Sequence, residues 1–172
     1  MASSIITEKL LQKQGVKVVA LAEVDSISVY IDGADECDAN LNLIKGGGGA
    51  LTREKIVCAC AKKFVCIMDS SKIVNTLGSF PLPIEIIPMS VNYVKKELAN
   101  RFGAKAELRK DFITDNGNLI LDVANVIIDD LKKLEYELNN IVGVVTNGLF
   151  ANRKADIVLV ASENGVKKIT ND

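Results

Sequence analysis

The sequence of 172 residues carries 21 basic and 22 acidic side chains, a formal charge of −1, and no histidine. Near-balanced charge with no long like-charge block argues against a nucleic-acid arm or a membrane-surface patch, and no apolar run approaches the ~20 residues that cross a bilayer. Without histidine, Ser-His-Asp and Cys-His schemes and most catalytic zinc sites are excluded, so acid-base work falls to carboxylates and lysines.

In chain order, Ser3 or Ser4 caps a predicted helix, ITEKLLQKQ, that stops at Gly15. VKVVAL then reads as a strand and SISVYI as the next, each rich in β-branched residues. A helix is predicted from Ala50 to Lys63, leading into a third strand, FVCIMD, that ends at Asp69. Lys72 follows and shares a sheet edge with Asp32 if the connections are right-handed and parallel. NTLGSFPLP concentrates glycine and proline and reads as a connector.

Beyond it, IEIIP, AELRK, NLILDV and VVTNGLF read as strands, with helices at SVNYVKKELANRFG, closed by Gly103, and DLKKLEYELNN. This βαββαβ order fits a ferredoxin-like unit inserted between two parts of an α/β unit. DIVLVA and VKKI, joined at Asn164-Gly165, are expected to return to the first sheet. The expected division is 1–78 with 150–172 as the α/β unit, and 79–149 as the ferredoxin-like unit.

Chemistry concentrates between Asp32 and Lys72. Asp32 stands at the C-terminal end of the SISVYI strand, where open α/β sheets present their ligand crevice, with Gly33, Ala34 and Asp35 following. DGADE is equally ordinary turn chemistry when taken alone. Gly46-Gly47-Gly48-Gly49, preceded by Lys45 and followed at once by a helix, shifts the balance toward an anion site. Such glycines let the backbone approach a phosphate, carboxylate or oxyanion, which the free amides and dipole of the first helical turn stabilise. The lysine precedes the glycines and no G-K-[ST] follows, so this is no Walker A loop. Glu54, one turn into the helix, is placed to act as a base on a substrate held by that loop. The structural alternative for Glu54 is an exposed acid favoured at a helix N-terminus by roughly 0.3–1 kcal/mol.

Arg53 and Lys55 read as solvated neighbours of Glu54, and Asp115, Asn116 and Asn118 as turn residues rather than a metal loop. Cys37, Cys58, Cys60 and Cys66 offer no zinc spacing and read as reduced core thiols.

IDGADE, NLIKGGGGALTREKIV, FPLPIEIIP, TDNGNLILDV and IVGVVTNGLFANR resemble, in order and spacing, the signature stretches of ribose-5-phosphate isomerase, type A. The resemblance implies a Rossmann-like, mainly parallel α/β sheet carrying the inserted ferredoxin-like unit. It further implies an aldose-ketose isomerase that interconverts ribose 5-phosphate and ribulose 5-phosphate through an enediolate, with no metal or organic cofactor. By that similarity Glu54 is the base. Asp32, Asp35 and Lys45 bind the sugar and assist ring opening and polarisation, together with Gly33 and Ala34. The amides of Gly46, Gly47 and Gly48 line the developing charge, and Lys72 contacts the phosphate.

The family pattern opens with a further βα unit bearing a phosphate-gripping loop, and the similarity begins near the family's second helix. Apolar surface left uncovered by that unit is expected to favour a homodimer or homotetramer. The N-terminal stretch lacks a signal-peptide pattern, giving a cytoplasmic expectation. A sugar-phosphate-binding module without turnover, or an inactive fragment, is the alternative reading.

Overall fold

The structure, a computed structural model, describes residues 1–126 and 130–170. Its first sheet holds β1 (Ile27–Asp32), β4 (Ala61–Asp69), β10 (Ile157–Ser162) and β11 (Gly165–Thr170), in the order β1-β4-β10-β11. The first three run parallel, and β11 returns antiparallel through the Asn164-Gly165 turn. A three-stranded sheet of β2 (Glu36–Cys37), β3 (Leu43–Ile44) and β9 (Leu149–Phe150) lies beside it. A third sheet, β6-β7-β5-β8, is antiparallel and comprises β5 (Leu82–Ile86), β6 (Lys105–Leu108), β7 (Leu119–Ala124) and β8 (Val144–Asn147). That strand order, with a helix after β5 and another after β7, is the ferredoxin-like arrangement.

The helices follow from local chemistry. Ser4 caps α1 (Ile5–Lys13) by accepting from Thr7 N at 3.1 Å, and Asp130 caps α4 (Leu131–Asn139) by accepting from Lys132 N and Lys133 N. α3 (Val91–Phe102) buries Val94 and Leu98, four residues apart, and ends where Gly103 takes φ +62°. α2 (Leu51–Cys60) is shorter than predicted, because Ala61 to Lys63 already belong to β4.

Two apolar clusters result. One gathers Ile84, Ile86, Leu98, Leu121 and Leu138 beneath the antiparallel sheet. The other packs Val57 and Cys58 of α2 against Phe64, Cys66 and Phe150, with Tyr30 stacked on Phe64 at 5.1 Å. Full burial of a side chain such as Phe64 contributes about 1.5–3 kcal/mol.

Three further expectations are corrected. VKVVAL is not a strand: residues 16–20 pair with no sheet among the described residues, and Leu21–Glu23 forms a 3-10 turn tied by Ala20 N donating to Glu23 Oε2. β-Branched composition marks a fit to a pleated, half-buried surface, and this segment has no strand edge to pair with among the described residues.

VVTNGLF is not one strand but two, β8 and β9, which join different sheets and are broken at Gly148. Gly148 N donates to Pro83 O at 2.7 Å, and a Cβ there would stand 2.1 Å from Lys45 O, so only glycine permits the crossing. Leu82 and Pro83, read as connector, open β5. Pro83 lies beyond the last β8-paired residue, Ile84, so the ladder asks no N–H of it on that side. The C-terminal end of the expected α/β unit, Asn171 and Asp172, lies outside the described residues.

Candidate active site

β1 delivers Asp32 to the C-terminal edge of the parallel sheet, and the chain then turns through Gly33 and Ala34 to Asp35. Asp35 is fixed by its own N–H donating to Ile44 O at 2.8 Å. β3 carries Lys45 into the same corner, anchored by Lys45 N donating to Gly148 O at 2.8 Å. The glycine loop follows, with Gly46 at φ +109° and Gly49 at φ +81°. A cavity of about 220 Å³ opens there, lined by Asp32, Gly33, Ala34, Asp35, Lys45, Gly46, Gly47, Gly48 and Glu54. Every predicted site residue but one is brought together in it. Lys72 ends the 3-10 turn after β4, on the same sheet edge as Asp32 but outside the cavity lining.

Charge is concentrated on Lys45, whose side chain is 3% exposed. Its ammonium donates to Asp32 Oδ2 at 3.0 Å and to Gly33 O, and lies 3.2 Å from Glu54 Oε2. Burial lowers its proton affinity, but Glu54 and Asp32 outweigh burial and hold Lys45 above its ordinary value.

Glu54 is far from the exposed acid of the structural alternative, its side chain being only 14% exposed. Burial pushes its carboxyl up, helped by the charges of Asp32 and Asp35, against the downward pull of Lys45. Oε2 is buried and has no hydrogen-bond partner among the described residues. A largely buried carboxylate with raised proton affinity in the wall of a cavity can accept a proton from a bound carbon acid.

The loop is shaped from both sides. Gly47 N donates to Asp35 Oδ2 at 2.8 Å, and a Cβ on Gly47 would stand 2.5 Å from Asp35 Oδ1. A Cβ on Gly48 meets nothing within 4 Å, and this residue of the cavity lining is exposed. Gly49 lies against Phe112, from the β6-β7 connection, whose ring a Cβ would overlap at 2.1 Å.

Several supporting residues were not anticipated. Glu85, fully buried in β5, accepts from Thr52 Oγ1, from Thr114 Oγ1 at 2.9 Å, from Asn116 Nδ2 at 3.1 Å and from Asn118 Nδ2 at 2.8 Å. Asn116 and Asn118 are therefore more than turn residues: they help tie the start of α2 to the antiparallel sheet. Lys55 is not solvated either, its ammonium being held by Glu135 and Leu149 O beneath Phe150, and Arg53 reaches Asp115 O and Asn116 Oδ1 at 3.0 Å. Helical periodicity marks a face, not a partner, and these contacts cross 60 or more residues of sequence. Among the described residues no cluster of His, Cys, Asp and Glu could hold a metal ion, and no helix is long and apolar enough to cross a membrane.

Comparison with known proteins converges on one family. A family model described as ribose 5-phosphate isomerase A (phosphoriboisomerase A) matches residues 1–165. The ribose 5-phosphate isomerase A of Neisseria gonorrhoeae superposes with a TM-score of 0.95 at 44% identity, the match covering 98% of this chain and 75% of that one. The enzyme of Methanocaldococcus jannaschii gives 0.93 at 42% identity, covering 98% and 76%. A D-ribose-5-phosphate isomerase solved in complex with phospho-erythronic acid gives 0.94 at 46%, with the same coverage. The glycine loop, its buried acid and the sheet that presents them thus lie within a match running nearly the whole chain, and the chain belongs to the ribose 5-phosphate isomerase A family.

Proposed function

We propose that this isomerase acts through Glu54 as the proton-shuttling base, and the observation that carries the proposal is the largely buried Glu54 side chain, ion-paired with Lys45, in the wall of the glycine-loop cavity. In the open-chain aldose, Glu54 takes the proton from C2. The C–H electron pair forms the C1–C2 double bond, and charge passes to the oxygen on C1. Lys45 and the amides of Gly46 to Gly48 stabilise that oxyanion. The hydroxyl on C2 loses its proton as the oxygen on C1 gains one, and Glu54 returns its proton to C1 to give the ketose. Asp32 and Asp35, with Gly33 and Ala34, bind the sugar hydroxyls, and Asp32 and Lys45 assist ring opening. No step calls on a metal or organic cofactor.

Lys72 is the assigned phosphate contact, supported by its place on the same sheet edge as Asp32. The same reading keeps 1–78 with 150–172 as the catalytic unit and 79–149 as the ferredoxin-like unit. The separation of parallel and antiparallel sheets supports it. We further infer a cytoplasmic homo-oligomer, dimer or tetramer. Parallel sheets are ordinarily covered on both faces, whereas Val29, Ile31, Ile67 and Val166 are exposed on one face of this one. The test is isomerisation of ribose 5-phosphate by the chain and by its Lys72→Ala variant, with sedimentation of both. Turnover whose KM rises in the variant for ribose 5-phosphate but not for free ribose supports the reading. Unchanged KM for both sugars removes Lys72 from it.

A further inference from the structure

Arg109 lies outside the cavity lining, directly after β6 of the antiparallel sheet, and no step of the isomerisation uses it. Its backbone is fixed by Arg109 N donating to Ile120 O at 2.9 Å. Its guanidinium pairs with both carboxylate oxygens of Asp122, Nε reaching Oδ2 at 2.9 Å and Nη2 reaching Oδ1. Nη1 then donates to two successive carbonyls of the glycine loop, Gly46 O and Gly47 O, each at 3.1 Å. The side chain is largely buried, with Phe112 5.4 Å from the guanidinium.

Planarity gives this contact a directional consequence. The carbonyl of Gly46 shares a rigid trans peptide with the N–H of Gly47, and the carbonyl of Gly47 shares one with the N–H of Gly48. Fixing two carbonyls on one side therefore aims two N–H groups to the other. One of them meets Asp35. The other belongs to Gly48, an exposed residue that lines the cavity. Donation to the carbonyl also polarises the peptide and strengthens its N–H as a donor.

We propose that Arg109, held by Asp122, is a positioning residue for the isomerisation, orienting the Gly48 amide toward the enediolate oxygen from the neighbouring sheet. The inference rests on the reading of the glycine loop as the oxyanion site. A lysine cannot reproduce it, since one ammonium lacks the planar fork that serves a carboxylate and two carbonyls together.

The test compares the unaltered chain with Arg109→Ala, Arg109→Lys and Asp122→Asn. It reads kcat and KM for ribose 5-phosphate, the dissociation constant of phospho-erythronic acid, whose carboxylate mimics the enediolate, and the backbone amide resonances of Gly47 and Gly48. In Arg109→Ala, kcat falls by about 10- to 100-fold, as expected when a catalytic dipole is misaimed. KM stays within about threefold, and phospho-erythronic acid weakens in proportion to kcat. Arg109→Lys recovers only part of the loss, and Asp122→Asn lies between. A folded Arg109→Ala with kcat within about twofold of the unaltered chain overturns the assignment. So does a kcat loss matched by lost folded protein while the folded remainder binds phospho-erythronic acid normally. A Gly48 resonance in the unaltered chain that ignores phospho-erythronic acid overturns the loop reading itself, and the Arg109 assignment with it. A Gly48 resonance that responds there, while Arg109→Ala retains its kcat, overturns Arg109 alone.

Discussion

Lys45 and Glu54 form a buried pair in which the ammonium, 3.2 Å from Glu54 Oε2, is shared with Asp32. One cation serves two acids, so the corner carries surplus negative charge. Burial is what chiefly raises the proton affinity of Glu54, against the pull of Lys45. Asp32 and Asp35 push Glu54 up, and the two acids around Lys45 keep it charged despite burial.

Glu54→Gln is therefore expected to be inactive yet more stable than the parent at neutral pH. Glu54 binds its proton more tightly folded than unfolded, so ionising it opposes folding. The penalty is absent well below the ordinary value of 4.5, grows as pH rises, and is complete above the raised folded value. Thermal melts across pH check it: the Gln variant gains over the parent only as pH rises past about 4.5. A gain present at pH 3 and lost at pH 7 has the wrong sign.

Lys45→Met removes the one influence that pulls Glu54 down strongly. The acidic limb of the kcat/KM profile is expected to move to higher pH, and kcat at its optimum to fall by about 10²-fold or more as oxyanion stabilisation is lost. Rate profiles of parent and variant over the same pH range show the displacement.

Gly148→Ala tests the frame behind Lys45. Its Cβ would stand 2.1 Å from Lys45 O, backbone that cannot yield cheaply. We expect a loss of about 1–3 kcal/mol in denaturant unfolding, together with a fall in kcat as Lys45 shifts.

Thiol labelling separates the cysteines. Burial pushes Cys37 and Cys66 up to about 12 and Cys58 up to about 11, and all three are fully buried, whereas Cys60 is exposed. Only Cys60 should react rapidly with a disulfide reagent at pH 8 in the native chain, and the other three should follow on unfolding.

The lining of the candidate cavity was legible in the sequence because its parts are local. Asp32 follows a β-branched strand, and Lys45, four glycines and Glu54 fall within a short stretch whose loop-to-helix chemistry is self-explanatory. What lay beyond reading is what arrives from elsewhere. Arg109 looks like an ordinary charged strand end, and nothing in its own neighbourhood says that it meets Gly46 and Gly47 across more than 60 residues. Glu85 sits between isoleucines in IEIIP, where a buried carboxylate is costly unless four donors converge on it. Those donors come from α2 and the Thr114 to Asn118 turn. VKVVAL misled for the opposite reason: its composition suits a strand, but strand formation needs a partner edge, which no local pattern supplies.

The most direct test of the account is proton exchange at the reacting carbons. Ribose 5-phosphate is incubated in deuterated water with the parent chain and with Glu54→Gln, following both isomerisation and deuterium entry at C1 and C2. The account predicts turnover with deuterium incorporation for the parent. For the variant it predicts both rates down by about 10³-fold or more, with ribose 5-phosphate still bound. Unimpaired exchange and turnover in Glu54→Gln would contradict it.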